Sequence, residues 1–399
     1  MHIGIFGGTF NPPHLGHAAV IRESIHTLEL DRLLLIPSAI PPHKEIPEHS
    51  PSPEIRLALL EQMLDLLKHP TGVEICTLEL ERKGPSYTSD TVAELRSQYP
   101  EATFTLLVGE DMFLSLQTWH TPEEVLSDVN LCAFMRGDTP PSQALHDQAT
   151  LLKETYGVDT QFLTLSSGMP SSSTQVRSAL PDQPPYLQPP IYGTILRLGL
   201  YGCDGNLKGL PLNSLRFVAL SFLKAKRIPH VLGVEQECAK LAEHWGYDPI
   251  LARRAGLLHD CTKFWTYDQH VAYCKEHNLA LDELELETDK LLHAKSGACM
   301  ARDLLGETEE VWQSILWHTT GRGDMTLLDK ILYIADYIEV NRDFPEVHRL
   351  RELSYQDLDS AMRYGLEITL QEMKDRNKVT HQNTKNAYAS LTKAKGGQL

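Results

Sequence analysis

Near its start the chain reads Gly7-Gly8-Thr9-Phe10-Asn11-Pro12-Pro13-His14-Leu15-Gly16-His17, directly after the apolar run Ile3-Gly4-Ile5-Phe6. A short apolar run bounded by glycine is typical of a buried parallel strand. Asn11 is a suitable N-cap for a helix whose first turn tolerates Pro12 and Pro13. His14 and His17 then share one face near the helix N-terminus, where backbone N–H groups and the dipole attract phosphate. Two imidazoles beside a bound phosphate indicate phosphorus chemistry.

This pattern resembles the HxGH signature of the nucleotidylyltransferases, and the longer run is similar to the nicotinate mononucleotide adenylyltransferases. Further segments match that family in order along the chain: Ile36-Pro37-Ser38-Ala39-Ile40-Pro41-Pro42-His43-Lys44, Arg82-Lys83-Gly84-Pro85-Ser86-Tyr87-Thr88-Ser89-Asp90-Thr91, Phe104 to Asp111 followed by Leu116-Gln117-Thr118-Trp119, and Ser171-Ser172-Ser173-Thr174-Gln175-Val176-Arg177. The resemblance covers residues 1–201. It implies a Rossmann-like, doubly wound α/β domain with its binding sites at the carboxyl ends of the strands.

The resemblance implies transfer of AMP from ATP to nicotinate mononucleotide, assisted by Mg²⁺. The implied catalytic residues contact the phosphates: His14, His17, Lys44 and Arg177. The implied substrate-binding residues are Gly8, Thr9, Phe10, Thr88, Asp111, Trp119, Ser172, Ser173 and Thr174, among which Trp119 stacks on the pyridine ring. Such a transfer depends on in-line placement and charge stabilisation rather than on a covalent nucleophile. Nicotinamide mononucleotide or a phosphopantetheine-like monoester is the alternative acceptor.

The second half of the chain has a different pattern. Residues 202–212 are rich in glycine and turn formers and predict a linker. Long helical periods follow, one of them opened by the capping pair Asp248-Pro249. An all-α domain is therefore predicted for residues 213–379. Residues 380–399 are polar, and we expect them to be a disordered tail.

Histidines and aspartates occur in the helical half in the order His230, His259-Asp260, His293, His318 and Asp336. This order resembles the HD-domain hydrolases. The sequence segments around these residues are similar to those of the HD-domain enzymes that split diadenosine tetraphosphate (Ap4A) symmetrically into two ADP. The resemblance implies a metal site formed by His230, His259, Asp260 and Asp336, with Asp260 and Lys263 catalytic and with His293, His318 and Arg322 meeting the polyphosphate. A dinuclear centre that includes His293 and His318 is the alternative.

Imidazole and carboxylate ligands suit Fe²⁺, Mn²⁺ or Zn²⁺ better than Mg²⁺ alone, and the resemblance favours Fe²⁺ or Mn²⁺. Two other interpretations of this half stay open. It could hydrolyse another nucleotide, or it could bind a nucleotide without cleaving it and regulate the transferase. Assays on these substrates would separate the alternatives.

The composition limits the partners. The formal net charge is -16, from 37 basic and 53 acidic residues, which argues against nonspecific nucleic-acid binding. The seven cysteines show no CxxC spacing, so a reduced, cytoplasmic protein is expected. No signal peptide and no membrane helix is expected. A homo-oligomer is compatible with the sequence.

Overall fold

The computed structural model describes residues 1–42, 45–135, 140–165, 172–182 and 185–393. The predicted site residue Lys44 therefore lies outside the described residues. The chain divides into two compact units, Met1–Gly205 and Asn206–Leu399. The division lies within the segment predicted as a linker.

The first unit is built on a six-stranded parallel sheet. Its strands are β1 (His2–Gly8), β2 (Arg32–Pro37), β3 (Val73–Ile75), β4 (Thr103–Gly109), β5 (Val129–Met135) and β6 (Thr160–Thr164). The spatial order is β3-β2-β1-β4-β5-β6, so the strand order reverses between β1 and β4. The predicted doubly wound α/β fold is confirmed, and the reversal marks the expected place of a ligand crevice.

Helices connect these strands. They are α1 (Leu15–Thr27), α2 (Pro53–Leu66), α3 (Leu78–Glu81), α4 (Thr88–Gln98), α5 (Glu110–Leu114), α6 (Pro122–Leu126), α7 (Gln143–Tyr156), α8 (Ser173–Ala179) and α9 (Pro189–Arg197). Short 3₁₀ turns lie at Leu116–Thr118 and Leu200–Gly202. The central strands are buried almost along their whole length, as expected for a parallel sheet covered on both faces.

The start of α1 differs from the prediction. Its N-cap is His14, not Asn11. The side chain of His14 accepts a hydrogen bond from Gly16 N, and that of His17 accepts one from His14 N, each at 3.1 Å. The two imidazoles therefore form the capping box themselves. Asn11 lies before the helix, and its side chain accepts a hydrogen bond from the hydroxyl of Tyr201 at 2.8 Å.

The second unit consists of helices, as predicted. They are α10 (Leu212–Ser221), α11 (Ile228–Trp245), α12 (Pro249–Leu258), α13 (Tyr267–Glu276), α14 (Glu283–Glu287), α15 (Asp289–Cys299), α16 (Glu309–Trp317), α17 (Leu327–Ile338), α18 (Val347–Ser354), α19 (Leu358–Asp375) and α20 (Gln382–Lys393), with a 3₁₀ turn at Ala225–Arg227 and a π-helical turn at Met300–Leu304. Asp248 caps α12 by accepting from Ile250 N at 2.7 Å. Helices α11, α12, α15, α16 and α17 surround the predicted metal site.

The expectation of a disordered tail is wrong for residues 382–393, which form α20. The residues at the start of this segment that are buried recur every three positions: His381, Thr384 and Ala387. The ring of His381 also lies 2.8 Å from a carboxylate oxygen of Asp282. A narrow stripe of small and polar residues packs this helix, so a search for large apolar residues overlooked it.

Two expectations from the composition concern membrane helices and the state of the cysteines. Within the described ranges, no helix combines the length and the apolar character needed to cross a bilayer. All seven cysteines are free thiols.

Candidate active sites

The first candidate site is a cavity of about 320 Å³ at the carboxyl ends of β1, β2 and β4. It brings together most of the predicted transferase residues: Gly8, Thr9, Phe10, His14, His17, Thr88, Trp119, Ser172, Ser173, Thr174 and Arg177. Asp111 lies exposed in the first turn of α5. Segments far apart in the chain thus meet where the strand order reverses.

His14 and His17 lie together in this cavity, with ring centroids 3.8 Å apart. Phe10 packs against His17 at 4.9 Å between centroids. Both Nδ1 atoms accept backbone N–H groups, so in each neutral ring the proton is on Nε2. The helix cap therefore assigns one N–H donor to the far side of each imidazole, and such donors suit phosphate oxygens.

The start of helix α8 also lines the cavity. Ser172 caps it by accepting from Gln175 N, and Gln175 reaches back to Ser172 N at 2.9 Å. The hydroxyl of Ser173 donates to Pro12 O at 3.0 Å, and Arg177 donates to Asn11 O. These contacts tie the N-terminus of α8 to the loop that precedes α1. Hydroxyls, a guanidinium and a helix N-terminus therefore converge beside the histidines, which is an arrangement suited to polyphosphate.

The opposite wall of the cavity contains a carboxyl group that the sequence analysis did not single out. Glu79 is 7% exposed and lines the cavity. It accepts a hydrogen bond from the hydroxyl of Thr91 at 2.9 Å, and Thr91 accepts one from Arg82 at 3.1 Å. Burial raises the pKa of Glu79 to about 7, although the hydrogen bond from Thr91 and the charge of Arg82 oppose the rise. The chain Glu79–Thr91–Arg82 braces the segment that leads into α4.

Substitution of Glu79 by glutamine is expected to reduce the pH dependence of stability. Because the pKa of this carboxyl rises from 4.5 in the unfolded chain to about 7 in the folded chain, the folded state favours the protonated form. Stability should be full below about pH 4.5 and should fall as the pH rises through 7, by up to about 3 kcal/mol. Urea unfolding at pH 5 and pH 8 measures this. If wild type and Glu79→Gln lost the same free energy of unfolding between pH 5 and pH 8, the raised pKa of Glu79 would be contradicted.

The second candidate site is a buried cluster of histidines and aspartates in the helical unit. Its members are the six predicted residues His230, His259, Asp260, His293, His318 and Asp336. The atoms of His230, His259 and Asp260 that could hold a metal lie within 4.8 Å of one another, and those of Asp260, His293 and His318 do so as well. Asp260 belongs to both groups. Nε2 of His230 also lies 3.1 Å from Oδ1 of Asp336.

The two oxygens of Asp260 face different partners. Oδ1 lies 3.1 Å from Nε2 of His293, and Oδ2 lies 3.3 Å from Nε2 of His259. Nε2 of His293 in turn lies 3.1 Å from Nε2 of His318. The carboxylate of Asp260 is therefore placed between two pairs of imidazoles.

Burial and charge set the protonation of this cluster. Burial acts to raise the pKa of Asp260, but the charges and hydrogen bonds of His259 and His293 outweigh it and hold the pKa well below its usual range. Burial, with the neighbouring His293 and His259, lowers the pKa of His318 well below its usual range. An ionised carboxylate beside a neutral imidazole is the protonation state that a metal requires of its ligands.

Comparison with known proteins covers both units. Residues 5–179 match the Cytidylyltransferase-like family, and residues 227–341 match the HD domain. A "Probable nicotinate-nucleotide adenylyltransferase" of Halalkalibacterium halodurans is 40% identical over 151 residues, which are 38% of this chain and 72% of that protein. The chain belongs to the nicotinate-nucleotide adenylyltransferase family. It carries an HD domain in addition.

Two further proteins are similar to parts of the chain. A protein of Shewanella sp. with the same description is 34% identical over 194 residues, which are 45% of this chain and 88% of that protein. A crystal structure from Clostridium acetobutylicum, described as a "predicted HD superfamily hydrolase involved in NAD metabolism", is 33% identical with a TM-score of 0.45 and covers 46% of this chain and 98% of its own.

The adenylyltransferase unit and the HD domain thus contain the two candidate sites. The HD match includes all six residues of the buried cluster. Lys263 lies beside this cluster, with its ammonium 3.0 Å from Nε2 of His293. Arg322 donates to Oδ2 of Asp329 at 2.8 Å. Its predicted contact with polyphosphate stays a prediction.

Sequence reasoning missed three residues of the HD domain that contact the cluster. Arg227 pairs with Asp260, and Arg342 pairs with Asp336. Glu339, which is 1% exposed, lies 3.1 Å from Nδ1 of His230 and orients that ring. A side chain at Gly233 would collide with Glu339, since a Cβ there would lie 2.2 Å from its Oε2. Glu339 lies three residues after Asp336, and that proximity in sequence was the available signal.

Proposed function

We propose that the protein is a bifunctional nucleotide enzyme. Its first unit transfers adenylyl from ATP to nicotinate mononucleotide and releases nicotinate adenine dinucleotide and pyrophosphate. Its HD domain hydrolyses dinucleoside polyphosphates, and Ap4A is the proposed substrate, cleaved to two ADP. The observation that carries the first activity is the pair of imidazoles that the capping box holds at the carboxyl end of β1.

In the proposed transfer, a phosphate oxygen of nicotinate mononucleotide attacks the α-phosphorus of ATP. The new P–O bond forms as the bond to the β-phosphate breaks, and pyrophosphate leaves. The Nε2–H groups of His14 and His17 donate to the α-phosphate oxygens, whose charge they stabilise in the transition state. Arg177, the hydroxyls at the start of α8 and, by resemblance, Lys44 hold the leaving pyrophosphate. When bound, Mg²⁺ would neutralise part of the negative charge on the phosphates.

For the HD domain we propose a metal centre of Fe²⁺ or Mn²⁺. The donor set of imidazoles and carboxylates fits such ions. His230, His259, Asp260 and Asp336 would hold the first ion, and His293 and His318 would hold a second together with Asp260. The position of Asp260 in both ligand groups favours this dinuclear alternative. When bound, the metal acidifies water and polarises a phosphoryl oxygen.

The residues around the HD centre suit a polyphosphate. The ammonium of Lys263, which is 34% exposed, lies 3.5 Å from Oδ1 of Asp260. Arg227 and Arg342 add two further cations at the same place. In symmetrical cleavage, the oxygen of water bonds to one central phosphorus, and the bridging oxygen leaves with the other ADP. We propose that Lys263 neutralises the charge of that leaving ADP.

The transferase proposal predicts a preference among acceptors. We expect turnover with ATP and nicotinate mononucleotide to exceed that with nicotinamide mononucleotide or phosphopantetheine by a factor of about ten or more. Chromatography of nicotinate adenine dinucleotide and release of pyrophosphate measure this on the full chain. A faster reaction with another acceptor would replace the proposed substrate but would retain adenylyl transfer.

The hydrolase proposal predicts the products of Ap4A. With Fe²⁺ or Mn²⁺, the full chain should release ADP alone, whereas asymmetrical cleavage would release ATP and AMP. Inactive protein with metal bound, on Ap4A and on other dinucleoside polyphosphates, would favour the regulatory alternative. That outcome would leave the transferase proposal untouched.

A further inference from the structure

Arg56 is a fully buried arginine in α2, with an exposed fraction of 0%. Its Nη1 donates to the carbonyl of Thr9 at 2.6 Å, and its Nη2 donates to the carbonyl of Ala39 at 3.1 Å. Thr9 belongs to the loop after β1, and Ala39 belongs to the loop after β2. One guanidinium therefore joins the two loops that bound the transferase cavity on this side, since Thr9, Ser38 and Pro41 all line it.

The charge of Arg56 is not neutralised in the described structure. Among the described residues, no carboxylate forms a salt bridge with it, and its charge interacts with Tyr201 and, to a smaller extent, with the exposed Glu54. Burial lowers the pKa of the guanidinium, but an arginine stays charged in proteins. A buried charge is costly unless it is paired. The first unit therefore contains a buried positive charge at Arg56 that lowers its free energy of unfolding.

A second cation lies near the same loop. Arg177 donates to the carbonyl of Asn11, and its second hydrogen bond goes to the hydroxyl of Thr174 at 3.2 Å, so its described partners are neutral as well. Tyr201 interacts electrostatically with both guanidiniums and donates to the side chain of Asn11. The loop between β1 and α1 thus lies between two cations whose described hydrogen-bond partners carry no charge.

We propose that Arg56 is a positioning residue for polyphosphate in the transferase site. It fixes the two loops in the arrangement that binds ATP, and the phosphates of bound ATP balance its charge without touching it. This inference rests on the proposed adenylyl transfer.

The chain offers a matched control in Arg96. Its Nη1 and Nη2 also donate to two backbone carbonyls, those of Ala102 and Asp128, at 2.7 and 2.8 Å. These carbonyls precede β4 and β5, so they lie at the amino ends of the parallel strands, opposite the cavity. Arg96 also forms a salt bridge with Asp128 at 3.6 Å, so unlike Arg56 it has a charged partner. Arg96→Met removes a comparable pair of hydrogen bonds to backbone carbonyls without approaching the site.

The test compares full-length wild type, Arg56→Met, Arg56→Lys and Arg96→Met. We expect Arg56→Met to lower kcat/KM for ATP by a factor of about ten or more, with KM for nicotinate mononucleotide unchanged within about twofold. Arg56→Lys retains the positive charge but lacks the two Nη groups that donate to the two carbonyls. Its loss of kcat/KM for ATP should therefore be smaller than that of Arg56→Met. Arg96→Met should lose thermal stability and keep its kinetics. Variants of Arg56 that match Arg96→Met in their kinetics would overturn the proposal.

Hydrogen exchange of peptides covering residues 3–20, with and without ATP and Mg²⁺, supplies a readout local to this unit. ATP should protect these peptides in wild type and Arg96→Met, and less in Arg56→Lys. Equal protection in all folded variants would overturn the role of Arg56. If Arg56→Met does not fold, Arg56→Lys decides the outcome in both assays. A wild type that binds ATP but transfers no adenylyl would refute the proposed function, and the exchange comparison would still test Arg56.

Discussion

Replacement of His17 by alanine is expected to reduce the turnover of adenylyl transfer by a factor of about a hundred or more, which is the scale of losing one preorganised donor to a transition state. His17 and His14 lie 3.8 Å apart between ring centroids in the transferase cavity. The capping box assigns their Nε2–H groups to the far side of each ring. Steady-state turnover at saturating ATP and nicotinate mononucleotide measures the effect.

Alanine at this position also removes a helix cap, because Nδ1 of His17 accepts the N–H of His14. Glutamine is the matched variant, since it is the usual partner in a capping box. His17→Gln should keep the melting temperature and lose the same turnover as His17→Ala. His26→Ala, an exposed histidine in the last turn of α1, should leave both unchanged. Near-normal turnover of His17→Gln would refute the proposed role of this imidazole.

The features that could be predicted from the sequence are those that lie within one contiguous motif. The strand Ile3 to Phe6, the histidine pair on one helix face and the hydroxyl-rich start of α8 are all local patterns. The parallel sheet then brings the motifs together, because every motif follows the carboxyl end of a strand or begins a helix at that edge. The cluster of the HD domain was predicted differently, because the order of its histidines and aspartates along the chain resembles the HD-domain hydrolases.

The residues that the sequence analysis missed act through the fold rather than through a motif. Helix α2 carries buried residues at Arg56, Leu59, Leu60, Met63 and Leu64. The helical spacing of three and four residues that places the leucines in the core therefore includes Arg56. This spacing was the feature of the sequence that could have indicated its burial. Charged residues are usually found on the solvent face of a helix, so residue type alone argues against burial of Arg56.

Substitution of Asp260 by alanine is expected to abolish hydrolysis by the HD domain and to leave adenylyl transfer within about twofold of wild type. Asp260 is 1% exposed, and it belongs to both groups of residues around the cluster that could hold a metal. In the proposed dinuclear centre, its loss removes a shared ligand and the charge that the imidazoles surround, which corresponds to several kcal/mol, or about a thousandfold in rate. Chromatography of Ap4A products and metal analysis of the purified protein measure the two consequences.

Asp303→Ala is the matched control, because Asp303 also pairs with a histidine, His277, at 2.6 Å but lies outside both ligand groups. It should keep the metal and the hydrolysis. Asp260→Asn separates charge from shape, since an amide of the same size is a poor bridging ligand. Hydrolysis by Asp260→Asn at the wild-type rate would contradict the proposal that this cluster catalyses the reaction. Loss of adenylyl transfer in Asp260→Ala would show that the two units communicate, because no residue of the HD domain takes part in the proposed transfer.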